Sequence, residues 1–281
     1  MKKKIGVVGA GVMGCGVAQS FSMAGFDVVL VDVDDEILST ARATISRNLC
    51  VLAMSGMGIK VDAKDVLARI AFTKEYNDLA ETEAIIENVT EDICIKRNVY
   101  KKLDDICIKD CIFLVNTSCV SITKIGSFTQ RPAQVIGTHF MNPVPQKDTI
   151  EAIRGYHTSD ETIVRTRQLL EQAGKMMILV NDMPGFVSNR LSHLLMNEAA
   201  FVVQDQVATP EQVDDIFKKC FSHKMGPLET ADLIGLDTVV DSLRILYESY
   251  QDPKYRVCPL LQKYVDAGKL GIKSGEGFYF Y

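Results

Sequence analysis

The sequence predicts an α/β fold in which a mostly parallel sheet is followed by an all-α C-terminal domain, and two observations carry that prediction. Up to about Val180, short β-branched runs alternate with stretches patterned as helices, and strands separated by a helix's length of chain pair in parallel. Beyond Pro184 the strand signals give way to helical ones. At 281 residues, 47% of them hydrophobic, the chain is long enough for two cores.

In order, the expected strands are Ile5–Val8, Val28–Val31, Ile70–Thr73, Ala84–Glu87, Cys111–Asn116, Gln134–Thr138, Ile150–Ile153 and Met176–Val180. Val12–Met23 carries an amphipathic helix pattern between the first two, with Gly25 suited to its end. In the second half, Leu191, Leu194, Leu195 and Glu198 to Val202 form a long stripe. Thr209-Pro210-Glu211-Gln212 reads as a capping box with proline at the first helical position, and Gly226-Pro227 opens another helix. The boundary falls near Asn181 to Gly185, dividing the chain into 1–183 and 184–281.

Composition excludes several classes. A net charge of −5 with dispersed Lys and Arg leaves no nucleic-acid footprint, and no apolar stretch is long and glycine-poor enough for a membrane span. The eight cysteines (15, 50, 94, 107, 111, 119, 220 and 258) show neither CxxC nor Cys/His ligand spacing, so no metal site and no disulfide framework is expected. Lys2 to Lys4 before an apolar run ending at Cys15 superficially resembles a lipoprotein leader. Gly6, Gly9, Gly11, Gly14 and Gly16 would break such a helix repeatedly, so a cytoplasmic protein is expected.

Those glycines have another use. Gly9-x-Gly11-x-x-Gly14 follows a strand and opens a helix, and Val28–Val31 leads to Asp32, where a carboxylate can accept both ribose hydroxyls of an adenosine. Gly9 permits the turn, Gly11 admits the pyrophosphate and Gly14 lets helix and strand pack closely, so Gly9, Ala10, Gly11, Val12, Met13 and Gly14 form the expected phosphate cradle of a Rossmann-type domain. Asp34, Asp35 and Glu36 follow Asp32 with no Lys or Arg before Arg42, which favours NAD over NADP.

Chemistry must come from elsewhere in the domain. Asn116-Thr117-Ser118 lies at one strand end, His139 at the next, and Glu151 follows a loop bearing Pro143 and Pro145 that joins consecutive strands. Such a loop can bring His139 and Glu151 to one end of the sheet. His157, His193 and His223 lack comparable company and read as structural or incidental.

With VGAGVMG, IENVTED, NTS at 116–118, THFMNPVP at 138–145, DMPGFVSNR at 182–190, MGPLETADLIGLD at 225–237 and GKLGIKSGEGFYFY, the chain resembles the L-3-hydroxyacyl-CoA dehydrogenase family nearly end to end, notably its short bacterial members that act on 3-hydroxybutyryl-CoA. The resemblance implies an acyl-CoA substrate, a C-terminal domain that dimerises, and fatty-acid or butyrate metabolism. It assigns His139 as general acid/base steadied by Glu151, and Ser118 and Asn189 as donors to the reacting oxygen. It further implies that Asp32, Glu91, Lys96, Asn116, Ser118, Asn142 and Lys273 touch NAD. The chain departs from the family pattern at Gln146 to Ile150, at Cys119, Asn88 and Ile272, and at Val51 to Gly58, which lacks the usual CoA-binding lysines. Arg47, Lys60 and Lys64 are the candidate substitutes. Two other readings stay open: a gulonate- or carnitine-type dehydrogenase of a small hydroxy acid, and a crystallin-like NAD-binding protein without turnover.

Overall fold

The computed structural model describes residues 3–54 and 62–281. Lys2 and Lys60, and the Ser55 to Gly58 part of the altered segment, lie outside the described residues. The chain forms two compact units, Met1–Asp182 and Met183–Tyr281.

Unit one holds one eight-stranded sheet. Its strands are β1 (Lys4–Val8), β2 (Asp27–Val31), β3 (Ile70–Thr73), β4 (Ala84–Glu87), β5 (Ile112–Val115), β6 (Val135–His139), β7 (Thr149–Arg154) and β8 (Met176–Asn181), in the order β3-β2-β1-β4-β5-β6-β7-β8. The helices are α1 (Val12–Met23), α2 (Asp35–Met54), α3 (Ala63–Ala68), α4 (Ile93–Ile106), α5 (Ile122–Gly126) and α6 (Asp160–Gln172). The inner strands are short apolar runs because both faces are covered. Ile5, Val7, Val28, Leu30, Ile86, Leu114 and Ile136 pack with Phe21 of α1, Ile45 of α2 and Leu170 of α6 in one core. Cys15, Cys107, Cys111 and Cys119 are buried here as small apolar side chains.

All eight expected strands form, with ends shifted by a residue or so. One pairing departs from the parallel rule: β6 and β7 are antiparallel. The chain has only Phe140 to Asp148 between them, too little for a crossover, which needs about a dozen residues or more. α6 then restores parallel pairing between β7 and β8.

Unit two is helical: α7 (Ser188–Gln204), α8 (Pro210–Cys220), α9 (Pro227–Ile234), α10 (Leu236–Tyr250) and α11 (Pro259–Asp266). The capping box at Thr209 and Gln212 is present, and Pro227 occupies the first position of α9. Met196, Leu228, Val239, Leu243, Cys258 and Leu261 build its core. In the aromatic tail Phe278 is buried and Phe280 exposed; buried Asp232 accepts from the Phe278 and Tyr279 amides, and buried Asp214 from the Tyr279 hydroxyl.

Candidate active site

The glycine loop sits at the C-terminal end of β1, where strand order reverses between β2 and β4. Gly9 has φ of +93°, a left-handed conformation that a side chain resists, and a Cβ there would also strike the Asn88 carbonyl at 2.7 Å. At Gly14 a Cβ would fall 1.8 Å from the Gly9 oxygen, so only glycine lets α1 begin this close to the strand. A Cβ on Gly11 would meet nothing within 4 Å; that position faces open space at the helix N-terminus, whose first turn carries no acid. Free amides and an uncompensated helix dipole there suit a pyrophosphate.

Asp32 follows β2. Its Oδ2 accepts from the Ala10 amide at 2.6 Å and its Oδ1 from the Val33 amide at 2.7 Å, which fixes the carboxylate beside the loop. Each carboxylate oxygen has a second lone pair, so both can still accept from a ribose hydroxyl. A cavity of about 380 Å³ beside Asp32 is lined by Gly9, Val33, Ile37, Tyr76, Ile95 and Val99. A second, of about 460 Å³, is lined by Gly11, Met13, Glu91, Ser118, His139 and Asn142. Gly11, Asn88, Val89 and Thr90 border both, so the two form one cleft over the glycine loop. Acid, loop and His139 thus lie in sequence along one cleft. One cation escaped sequence reading: Lys74, distant in sequence, pairs with Asp35 in the acidic run.

At the other end of the cleft, antiparallel pairing makes His139 and Glu151 direct cross-strand partners. Opposite residues project to the same face, and His139 Nδ1 lies 3.2 Å from Glu151 Oε2. An ionised carboxylate only accepts, so with Glu151 ionised Nδ1 is the donor of this pair and Nε2 is the nitrogen turned toward Ser118. Nε2 lies 3.3 Å from Ser118 Oγ. Ser118 is therefore directed at the histidine; the cap of α5 is Ser121, which accepts from the Lys124 amide.

The protein partners of several expected cofactor residues were not legible in the sequence. Glu91 accepts from the Thr117 hydroxyl at 2.8 Å and the Ser118 amide at 2.7 Å, fixing the loop after β5. Asn116 donates to Asn88 Oδ1 at 2.7 Å and accepts from the Phe140 amide at 3.2 Å, tying the ends of β4, β5 and β6 together. Lys96 is brought beneath the cleft rather than to its wall. Fully buried, it pairs with the fully buried Glu87 at 2.9 Å and lies 3.8 Å from Glu91. Burial pushes the Glu87 carboxyl above the usual glutamate range, an effect that the Lys96 ammonium and the Val89 amide only partly offset. Asn189, in the first turn of α7, and Lys273, paired with Asp237, belong to unit two. Among the described residues no His/Cys/Asp/Glu group could hold a metal, and no helix is long and apolar enough to cross a membrane.

Comparison with known proteins bears on this arrangement. Residues 4–183 match the family described as "3-hydroxyacyl-CoA dehydrogenase, NAD binding domain", and residues 185–281 match its C-terminal domain. A probable 3-hydroxybutyryl-CoA dehydrogenase of Deinococcus radiodurans is 45% identical over 99% of this chain and 100% of its own length. Its counterpart in Bacillus subtilis is 43% identical over 99% and 97%. The crystal structure of (S)-3-hydroxybutyryl-CoA dehydrogenase from Ralstonia eutropha, 40% identical, superposes with a TM-score of 0.95 and covers 100% of this chain and 99% of that one. The chain belongs to the 3-hydroxyacyl-CoA dehydrogenase family and is an NAD-dependent oxidoreductase.

Proposed function

We propose that the protein interconverts (S)-3-hydroxybutyryl-CoA and acetoacetyl-CoA, with His139 as the acid–base group. The observation that carries this reading is the Ser118–His139–Glu151 constellation opening into the same cleft as the glycine loop. Bound NAD supplies the hydride exchange. In oxidation, His139 Nε2 takes the proton of the 3-hydroxyl, and in reduction it returns that proton to the 3-oxo oxygen. Glu151, accepting from Nδ1, holds the ring in one tautomer and stabilises the imidazolium that forms. Ser118 places a hydroxyl beside Nε2, where it can donate to the reacting oxygen as charge develops. Asn189 is the second donor in this reading. Asp32, Gly9 to Gly14, Glu91, Asn116, Asn142 and Lys273 hold the dinucleotide, and Lys96 contributes from beneath through Glu91.

The relatives' names support the C4 acyl chain. A third cavity, of about 290 Å³, is lined by Arg47, Asn48, Val51, Pro143, Pro145 and Gln146, which supports Arg47 as a cation for CoA where the usual lysines are missing. A homodimer built on the helical unit and a cytoplasmic role in butyrate metabolism complete the proposal.

The test is NADH oxidation by the purified protein with acetoacetyl-CoA, set beside free acetoacetate and small hydroxy and oxo acids. Turnover with the thioester is expected. Activity with a free acid alone would transfer the site to the small-acid reading, and tight NADH binding without turnover of any substrate would make it a binding protein. His139→Ala is expected to keep NADH affinity and lose about 10²–10⁴-fold in kcat.

A further inference from the structure

Lys175 stands apart from all of these groups. It follows Gly174, whose φ of +70° ends α6, and immediately precedes β8. Its side chain is buried with no carboxylate against it: Nζ donates to the Val144 and Lys147 carbonyls, both at 2.9 Å. An ammonium is costly to bury, and burial holds its pKa below the ordinary lysine value despite the negative charge of Asp148. An apolar side chain would fill the space without that cost, so the two bonds call for a reason.

Both carbonyls belong to the loop 140–148, which runs from His139 at the end of β6 to Thr149 at the start of β7, two residues before Glu151. The His139–Glu151 pair is the last rung of the β6–β7 ladder, with no rung beyond it. Ladder ends open at low free energy unless something outside the ladder holds them. The loop also packs on α1, where a Cβ on Gly16 would come within 3.0 Å of Val144 Cβ. Lys175 thus pins a segment that connects the acid–base rung to the helix whose N-terminus faces the cofactor cleft.

We propose that Lys175 is a positioning residue for the reaction, clamping the 144–147 turn so that the His139–Glu151 rung stays closed beside the cleft. The inference rests on the reading of that rung as the acid–base pair.

The experiment measures kcat per NADH-binding site, NADH affinity, and the primary isotope effect with NADH deuterated at the transferred hydrogen. Lys175→Met is expected to lower kcat about tenfold or more and to enlarge the isotope effect, with NADH affinity unchanged. Lys175→Gln, whose shorter amide can still donate to one carbonyl, is expected to lose about threefold. A role in stability alone would lower the melting temperature without moving kcat per folded site or the isotope effect, and that outcome overturns the proposal. So does loss of NADH affinity along with kcat. Should Lys175→Met fail to fold, wild-type kcat and isotope effect in Lys175→Gln overturn it. The His139→Ala variant separates the two failures: if it retains turnover, the reading of the rung falls, whereas if only the Lys175 variants retain turnover, the clamp alone falls.

Discussion

Replacing Lys96 by Met should expose how much of the cleft's floor depends on one buried ion pair. Both side chains are fully buried, with Nζ 2.9 and 3.0 Å from the two Glu87 oxygens. Methionine fills most of the lysine's volume, so the loss is electrostatic: Glu87 keeps the Val89 amide at 2.7 Å and loses its counter-charge. Stranding one partner of a buried pair costs about 3–5 kcal/mol, which for a chain of this size lowers the melting temperature by about 6–20 °C. The sign with pH follows from Glu87, whose folded pKa already lies above 4.5 and rises further without Lys96. A group with a raised folded pKa stabilises fully below its unfolded value, and that stabilisation is lost as pH climbs through the folded value. The deficit of Lys96→Met should therefore be smaller at about pH 5 than at about pH 8. Thermal melts of both proteins at the two pH values, with Lys96→Met/Glu87→Gln alongside, make the comparison. A pH-independent deficit, or no recovery in the double variant, would refute the reasoning.

Other consequences can be checked by ligand titration. Asp32→Ala removes a charged acceptor beside the adenosine ribose and should weaken NADH binding about 10–100-fold while narrowing its advantage over NADPH; unchanged affinity would displace Asp32 from the ribose. Gly14→Ala sets a methyl 1.8 Å from the Gly9 oxygen. It should cost about 1–3 kcal/mol of stability in denaturant titrations and abolish measurable NADH binding. Tyr76→Ala opens the wall of the cavity beside Asp32, where the Lys102 ammonium lies 3.8 Å from the Tyr76 ring centroid. ADP-ribose affinity should fall about 2–10-fold with kcat unchanged, and equal affinity would place the adenine elsewhere.

What the sequence disclosed, and what it hid, follows from the range of each interaction. Strands such as Ile112–Val115 are legible because burial on both faces demands a local apolar run, and the glycine loop because its conformations exclude side chains at fixed spacing. The Thr209–Gln212 box spans three residues and could be read directly. The reversal at β7 could have been anticipated from the shortness of the Phe140–Asp148 connection. The burial of Lys96 could not: the resemblance marks it as a cofactor residue, and nothing in its local sequence announces that the fold sets it against Glu87. Links such as Asn116 to Asn88, Thr117 to Glu91 and Lys175 to Val144 join segments far apart in the chain, and none of those residue types announces its partner.

Because His139 and Glu151 face each other across a backbone ladder, their spacing is inherited from main-chain register and not from the residues of the intervening loop. Side-chain changes on the Pro143–Gln146 surface are therefore separable from the His139–Glu151 pairing as long as the backbone of the turn is kept. A transplant of this segment from a relative with another substrate could redirect selectivity while leaving the imidazole and its carboxylate in step, provided the graft still offers carbonyls where Val144 and Lys147 now present theirs.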